Sequence, residues 1–435
     1  MTAHDIIKAK RDGNTLTNDE IVFFADGVAS GEIPDSQSAA LLMALCLKGM
    51  NSSETAALAS AMAVGGDRLD LSVLPGEVAD KHSTGGIGDK TTLVVAPIVA
   101  ACGINVAKMT DRYVCGAGLT ADKLLSIPNL RLDFNAREML AIANRYGLCL
   151  AETIGNLAPA EKKLGELRRL TATTECIPLI AASIMSKKIA AGTQNLVLDV
   201  KVGSGAPVKN VKDAKRLARE MVSIGSANNI NVTALITDNN TPLGCAVGYS
   251  LEVIEAVNTL RGTGPADLTE LCLALSAHLL HLCGNGTPDE CLESAKSMMF
   301  NGLAFERFLW AVNAQGGDIG VLTDTTRFKK ARFYRTLTAK RSGYISRIDA
   351  GECGRAAALL GAARKSCGAI DSAAGVVLEA KVGAFVKSGD IIATLYAEND
   401  CLFDGAEQAA LGAFEFSREP SEPSKLIIDK VSNKN

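Results

Sequence analysis

Along the first 65 residues one pattern recurs: a polar opening, alanine and leucine at helical spacing, then a glycine. "TNDEIVFFADGVASGEI" opens on Thr17 and Asn18 followed by acids, and "PDSQSAALLMALCLKG" and "NSSETAALASAMAVGG" repeat the logic. Each predicts a helix with a capped start and a glycine stop. Residues 66–80 carry no period and predict a linker. From 81 to 155 the texture changes, and short apolar β-capable runs ("TLVVAPIVAA", "INVAKMT") alternate with glycine-rich turns and helical patterns, as in an α/β layer. "AEKKLGELRRL" and "PLIAASIMSKKIAAG" return to helix, whereas "NLVLDVKVGSG" and "VTALITDN" predict buried strands. Beyond 340, "SGYISRIDA" and "GVVLEAKVGAFVKSGDIIATLYA" alternate around glycine turns and predict a β-rich unit.

This order predicts a fold of α/β plus all-α class. Residues 1–65 and 160–195 form a helical domain discontinuous in sequence. Residues 70–155 and 196–335 form a mixed-sheet α/β domain, and 340–435 a smaller β-rich α+β domain. A cleft between the first two would be crossed twice by the chain, and such clefts favour small-molecule sites.

Composition narrows this little. A chain of 435 residues has room for two or three domains, and 47% hydrophobic with 4% aromatic residues suits an alanine- and leucine-built helical protein. A formal charge of −3 gives no electrostatic footprint for nucleic acid or an anionic membrane. The twelve cysteines form no CxxC pair and sit mostly in apolar stretches, which predicts reduced buried thiols. "MTAHDIIKAKRDG" has no apolar h-region and no long apolar run follows, so the expectation is a soluble cytoplasmic protein.

Chemistry concentrates in "DKHSTGGIGDKTTLVV". Lys81, His82, Ser83 and Thr84 precede Gly85, Gly86 and Gly88, so cationic and hydroxyl groups stand where glycines let the backbone approach an anion. The segment is neither a P-loop nor a dinucleotide loop, lacking the required spacing. A tight turn with a solvated lysine is the simpler alternative. Of the other histidines, His4 is terminal, and His278 and His281 lie in an apolar helical pattern with no further ligand at metal-binding spacing. His82 is therefore the candidate acid–base group. Downstream, Arg168 precedes Ser183 and Lys187, and the last two, four apart, share one helix face.

Together "DKHSTGGIGDKTTL", "LAPAEKK", "LTATTECIPLIAASIMSKKIAAG", "LVLDVKVGSGA", "GPADLTELCLALSAHLL" and "VGAFVKSGDIIATLYA" resemble the thymidine and pyrimidine-nucleoside phosphorylases, in order over nearly the whole chain. The bacterial pyrimidine-nucleoside branch is the nearer likeness. The resemblance implies a pentosyltransferase that reversibly phosphorolyses a nucleoside to base and sugar 1-phosphate, working as a homodimer through its helical domain. It implies inorganic phosphate as co-substrate, held by Lys81, Ser83, Thr92, Thr110 and Thr120. It places the base against His82, Arg168, Ser183 and Lys187, with Lys81, His82, Arg168 and Lys187 catalytic. It also implies a possible K+ at Gly88, Lys90, Leu243, Ala246 and Glu255, unless the Lys90 side chain supplies that charge itself.

Departures from the family pattern cluster around the same site. In "TDRYVCGAGLTADKLL" glycines have become Asp111 and Tyr113, a histidine Gly116 and a glutamate Leu125. Gly165 replaces a tyrosine, Arg169 an aspartate, Glu152 a glutamine and Pro207 an aromatic residue. The polar anchors persist while two aromatic walls are lost, which predicts an enlarged base pocket with a modified nucleoside as substrate, unless residues elsewhere refill the pocket and specificity is ordinary. A carboxylate beside an anion site is costly, so Asp111 is expected to pair with Arg112 or Lys123. Two other readings stand beside the phosphorylase. Anthranilate phosphoribosyltransferases are built similarly but handle a diphosphate with Mg2+, and the acidic pair they use has no match here. A phosphate-binding relative without turnover is the non-enzymatic alternative.

Overall fold

The computed structural model describes residues 1–111, 120–363 and 370–433. Arg112, Tyr113 and Gly116 lie outside the described residues. The protein combines an all-helical layer, a mixed-sheet α/β layer and a smaller β-rich unit. Among the described residues no helix is long and apolar enough to cross a membrane.

Helices Asn18–Ser30 and Ser52–Ala63 begin at Thr17 and Asn51, each closing a capping box with the glutamate three residues on, Glu20 or Glu54. Helices Pro159–Leu170 and Ile177–Ala190 return to this layer and share its core. That core does not stop at the expected boundary near 195. It also takes helix Val211–Ala227 and one face of the central sheet, through Leu196, Leu198, Val200 and Val232. Val197, pointing the other way along the same strand, joins a second core with helices Thr91–Ala101 and Ala266–Leu282. A strand buried on both faces reads as a continuous apolar run, which is why "NLVLDV" shows no alternation.

The central sheet runs Ala79–Ser83, Asn195–Val202, Asn231–Asp238, all parallel, then Ile427–Ser432 antiparallel at the edge. To form this last strand the chain leaves the β-rich unit and returns to the central sheet. The reverse exchange also occurs. Ala246–Val247 pairs with Gly375–Leu378 in the C-terminal four-stranded sheet. A separate parallel pair, Val106–Thr110 with Leu148–Glu152, stands beside strand Ala79–Ser83 through the bridge Val78–Asn105.

"TLVVAPIVAA" is helix Thr91–Ala101, not strand. Every residue from Thr91 to Ala100 is buried, so the run has no polar face to betray its period. The local signal was Asp89, whose carboxylate accepts from the Thr91 N–H at 3.3 Å and its hydroxyl at 2.6 Å, fixing a helix start.

Candidate active site

Four strands end at one cleft: Ala79–Ser83, Val106–Thr110, Leu148–Glu152 and Asn195–Val202. It has a volume of about 890 Å³, with Ser83, Thr110, Glu152 and Gly205 among its lining residues. The carboxyl ends of parallel strands leave backbone groups unpaired and open toward such a crevice. The helices Pro159–Leu170 and Ile177–Ala190 form the opposite wall.

On the sheet side stand Ser83, Thr92, Thr110 and Thr120 around the glycine turn. Asn239 pins that turn, its Oδ1 accepting from the Ile87 N–H at 2.9 Å and its Nδ2 donating to the Ile87 carbonyl at 3.0 Å. A Cβ on Gly86 would stand 2.5 Å from Asn239 Oδ1, so only glycine fits. Beneath the turn, buried Lys81 donates to Thr91 Oγ1 at 2.5 Å and Thr92 Oγ1 at 3.3 Å. Its ammonium lies 3.9 Å from Asp89 and 4.0 Å from Asp199, and Lys201 joins Asp199 at 2.9 Å.

On the helix side Arg168 donates Nη2 to the Thr174 carbonyl at 3.0 Å, which aims its guanidinium across the cleft floor. Ser183 donates to Glu161 Oε1 at 2.5 Å, and Lys187 lies 3.5 Å from the same oxygen. Lys187 also donates to Asp111 Oδ2 at 2.5 Å, while Thr153 donates to Asp111 Oδ1 at 2.6 Å. Asp111 is therefore paired, but its cation is Lys187 rather than Lys123. Lys123 is instead engaged by Glu252 at 2.7 Å and the Asp89 carbonyl at 2.5 Å. Burial disfavours both ions of the new pair, yet Lys187 holds the Asp111 carboxyl down to about 2. For Lys187, burial is likewise outweighed by Glu161 and Asp111, which raise its pKa and keep it charged.

His82 faces the cleft between the two walls. Burial, and then Lys188, Lys108, Lys187 and Lys81, hold its pKa well below the ordinary imidazole value. The ring is neutral near neutral pH, one nitrogen carrying a hydrogen to donate and the other able to accept.

Sequence reasoning missed several members of this site. Lys108 lines the cleft, and burial brings its pKa to about 7 against the opposing pull of Asp80, 3.3 Å away. Its signal was there, since Lys108 and Thr110 share a strand face at period two. Glu161 and Arg168, seven apart on one helix, likewise share a face. Asp80 also holds Lys188, at 2.7 Å. His278 and His281 stay apart from the cleft, with His281 Nδ1 bonded to the Gly286 carbonyl at 2.8 Å. Among the described residues no group of three His, Cys, Asp or Glu could hold a metal ion.

The residues expected around a monovalent cation do converge, beyond the glycine turn. Lys90 Nζ donates to the carbonyls of Leu243 at 3.0 Å and Ala246 at 2.8 Å, and to Glu255 Oε2 at 2.5 Å. The point where these oxygens meet is filled by an ammonium, so the residues present do not fit an added ion.

A glycine turn flanked by hydroxyls thus faces a cationic helix wall across an inter-layer cleft. Comparison with known proteins shows the family. Residues 75–305 match the glycosyl transferase family a/b domain, 4–64 its helical bundle domain, and 344–417 the pyrimidine nucleoside phosphorylase C-terminal domain. The chain is 44% identical over 434 residues to the pyrimidine-nucleoside phosphorylase of Geobacillus stearothermophilus, covering 99% of this chain and 100% of the relative. A Staphylococcus aureus (strain MSSA476) pyrimidine-nucleoside phosphorylase is 44% identical over 436 residues, with 99% and 100% covered. Anthranilate phosphoribosyltransferase from Thermus thermophilus shares the fold at 18% identity, with a TM-score of 0.59 over 73% of this chain and 100% of that one. This chain belongs to the pyrimidine-nucleoside phosphorylase family.

Proposed function

We propose that this protein phosphorolyses a pyrimidine or pyrimidine-like nucleoside, reversibly, to free base and (deoxy)ribose 1-phosphate. The observation that carries this reading is the placement of Ser83, Thr92, Thr110 and Thr120 opposite Arg168, Ser183 and Lys187 around one cavity, with Lys81 buried behind Thr92. Phosphate would sit at the glycine turn, with Lys81 beneath it and Lys108 held charged by the bound anion. A phosphate oxygen then forms a bond to the anomeric carbon as the carbon–nitrogen bond breaks, and that electron pair passes into the base. Arg168, Lys187 and the His82 N–H would stabilise the charge gathering on the base carbonyls. Because His82 is neutral it works as a hydrogen-bond donor, so kcat should show no limb near the ordinary imidazole pKa of about 6.5. A limb there that His82→Asn abolishes would assign it proton transfer instead.

Gly165 and Pro207 line the cleft where the resemblance implies aromatic residues, which supports a base pocket that admits a bulkier or modified aglycone. Gly165 faces the cleft, and a Cβ there would meet only Glu161 Oε1, at 3.4 Å. Gly165→Tyr should therefore fold and should favour plain uridine by roughly 2- to 12-fold in kcat/KM, the equivalent of about 0.5–1.5 kcal/mol of aromatic contact. A screen of nucleosides with and without phosphate tests both claims. Base release must depend on phosphate or arsenate, and brisk turnover of uridine and thymidine by the wild type would sink the idea of a modified substrate. No turnover with any nucleoside would favour a binding-only relative.

The same reading includes a cytoplasmic homodimer joined through the helical layer. Helices Asn18–Ser30 and Asp35–Lys48 expose Val22, Phe23, Met43 and Leu47. Sedimentation of Leu47→Glu should show monomer, and an unchanged species would remove that face from consideration.

A further inference from the structure

We propose that the Lys90 ammonium is a built-in substitute for a bound monovalent cation, and that removing it converts the protein into one that needs such an ion. Two main-chain carbonyls and a carboxylate converge on Lys90 Nζ, an all-oxygen donor set of the kind that holds hard cations. The cage is built from both sides. Gly88 has φ +76°, and a Cβ there would stand 2.4 Å from the Leu243 carbonyl oxygen, so the turn is pressed against the cage wall. Glu255 is fixed in turn, its Oε1 accepting from the N–H groups of Cys245 at 2.9 Å and Ala246 at 3.1 Å.

The placement explains why a charge is needed there. The Lys90 side chain grows from the residue before helix Thr91–Ala101, immediately after the glycine turn. Its ammonium fastens that turn to the 243–246 loop and to helix Tyr249–Leu260. A second lysine, Lys381 of the β-rich unit, braces the same loop through the carbonyls of Pro242 at 2.8 Å and Gly244 at 2.6 Å, and through Asp267 at 2.9 Å. An ion in the cage can leave, whereas a tethered ammonium cannot. The turn that carries Ser83 and Gly85–Gly88 thereby stays in place whatever salt surrounds the protein.

The inference extends the proposed function but is tested without it, because thermal unfolding reads the cage even if no nucleoside is turned over. Wild type is melted in choline, sodium and potassium chloride at equal ionic strength, and its phosphate KM is measured in each. The same midpoint and the same KM are expected in all three salts. A potassium-specific rise in the wild-type midpoint overturns the proposal, whether or not any variant folds. Lys90→Thr, which shortens the side chain to a hydroxyl, should melt lower in choline and show a phosphate KM raised on the order of tenfold. Potassium or sodium should restore both saturably, as expected for a ligand that binds the folded state alone. Lys90→Met fills the cage with a methyl group and should be rescued by no salt. A folded Lys90→Thr that ignores every alkali ion, or a Lys90→Met that responds like it, also overturns the proposal.

Discussion

Lys81→Met is expected to lower kcat/KM for phosphate by about 10²- to 10³-fold, the usual cost of losing one preorganised charge donor, while the protein still folds. Lys81 is 2% exposed in the middle of strand Ala79–Ser83, with its ammonium held under the glycine turn by Thr91 and Thr92. Burial makes its charge effective, because little solvent intervenes between it and an anion above. The same burial raises the question of stability, since Asp89 and Asp199 lie within 4.0 Å of the ammonium. Both carboxylates keep other cations. Lys201 stays 2.9 Å from Asp199, and Asp89 is held well below the ordinary carboxyl range by Lys201 and Lys123 as well as by Lys81. Burial opposes that lowering without reversing it. The methionine side chain also fills a similar volume. Steady-state kinetics with phosphate and arsenate, alongside a thermal melt, separate the two effects. A rate constant within threefold of wild type would remove Lys81 from the anion site.

Glu255→Ala should cost about 3–5 kcal/mol of stability, the penalty for leaving a buried charge without its partner. Lys90 is 1% exposed, and Glu255 is its only carboxylate contact within hydrogen-bond distance among the described residues. The alanine also strands the N–H groups of Cys245 and Ala246, which sit where water cannot replace the lost oxygen easily. Glu255→Gln keeps an acceptor and should lose less. Removing both ions in Lys90→Met/Glu255→Gln should recover part of the loss, because no unpaired charge remains. Urea unfolding of the three variants measures this. If Glu255→Ala falls within about 1 kcal/mol of wild type, solvent is reaching the ammonium and the cage is open.

Local signals in the sequence were read where local chemistry dictates structure. Thr17 with Glu20 and Asn51 with Glu54 announce helix starts within four residues, and Ser183 with Lys187 share a face by geometry alone. The helix over "TLVVAPIVAA" was hidden because burial on all sides erases periodicity. The place of strand Ile427–Ser432 in the central sheet was not legible, because its partner lies about 190 residues earlier in sequence and β pairing leaves no local mark. Asp111 shows both limits together. Its need for a cation followed from the cost of a buried carboxylate. The identity of that cation did not, because Lys187 is 76 positions away and reaches Asp111 only once two layers close. Likewise the residues of the cation cage, and Lys90 as the alternative source of its charge, were named by resemblance, while the choice between ion and ammonium rests on three distances to one nitrogen.

The strand Ile427–Ser432 has a consequence for how this molecule is made. Until it arrives, strand Asn231–Asp238 presents an unpaired edge, and such edges recruit other chains. The chain must leave the ribosome past residue 432 before the sheet that carries Lys81 is closed. The nascent enzyme therefore passes through a long interval in which its catalytic layer is assembled but still adhesive, and helper proteins that shield open strands would matter most during that interval.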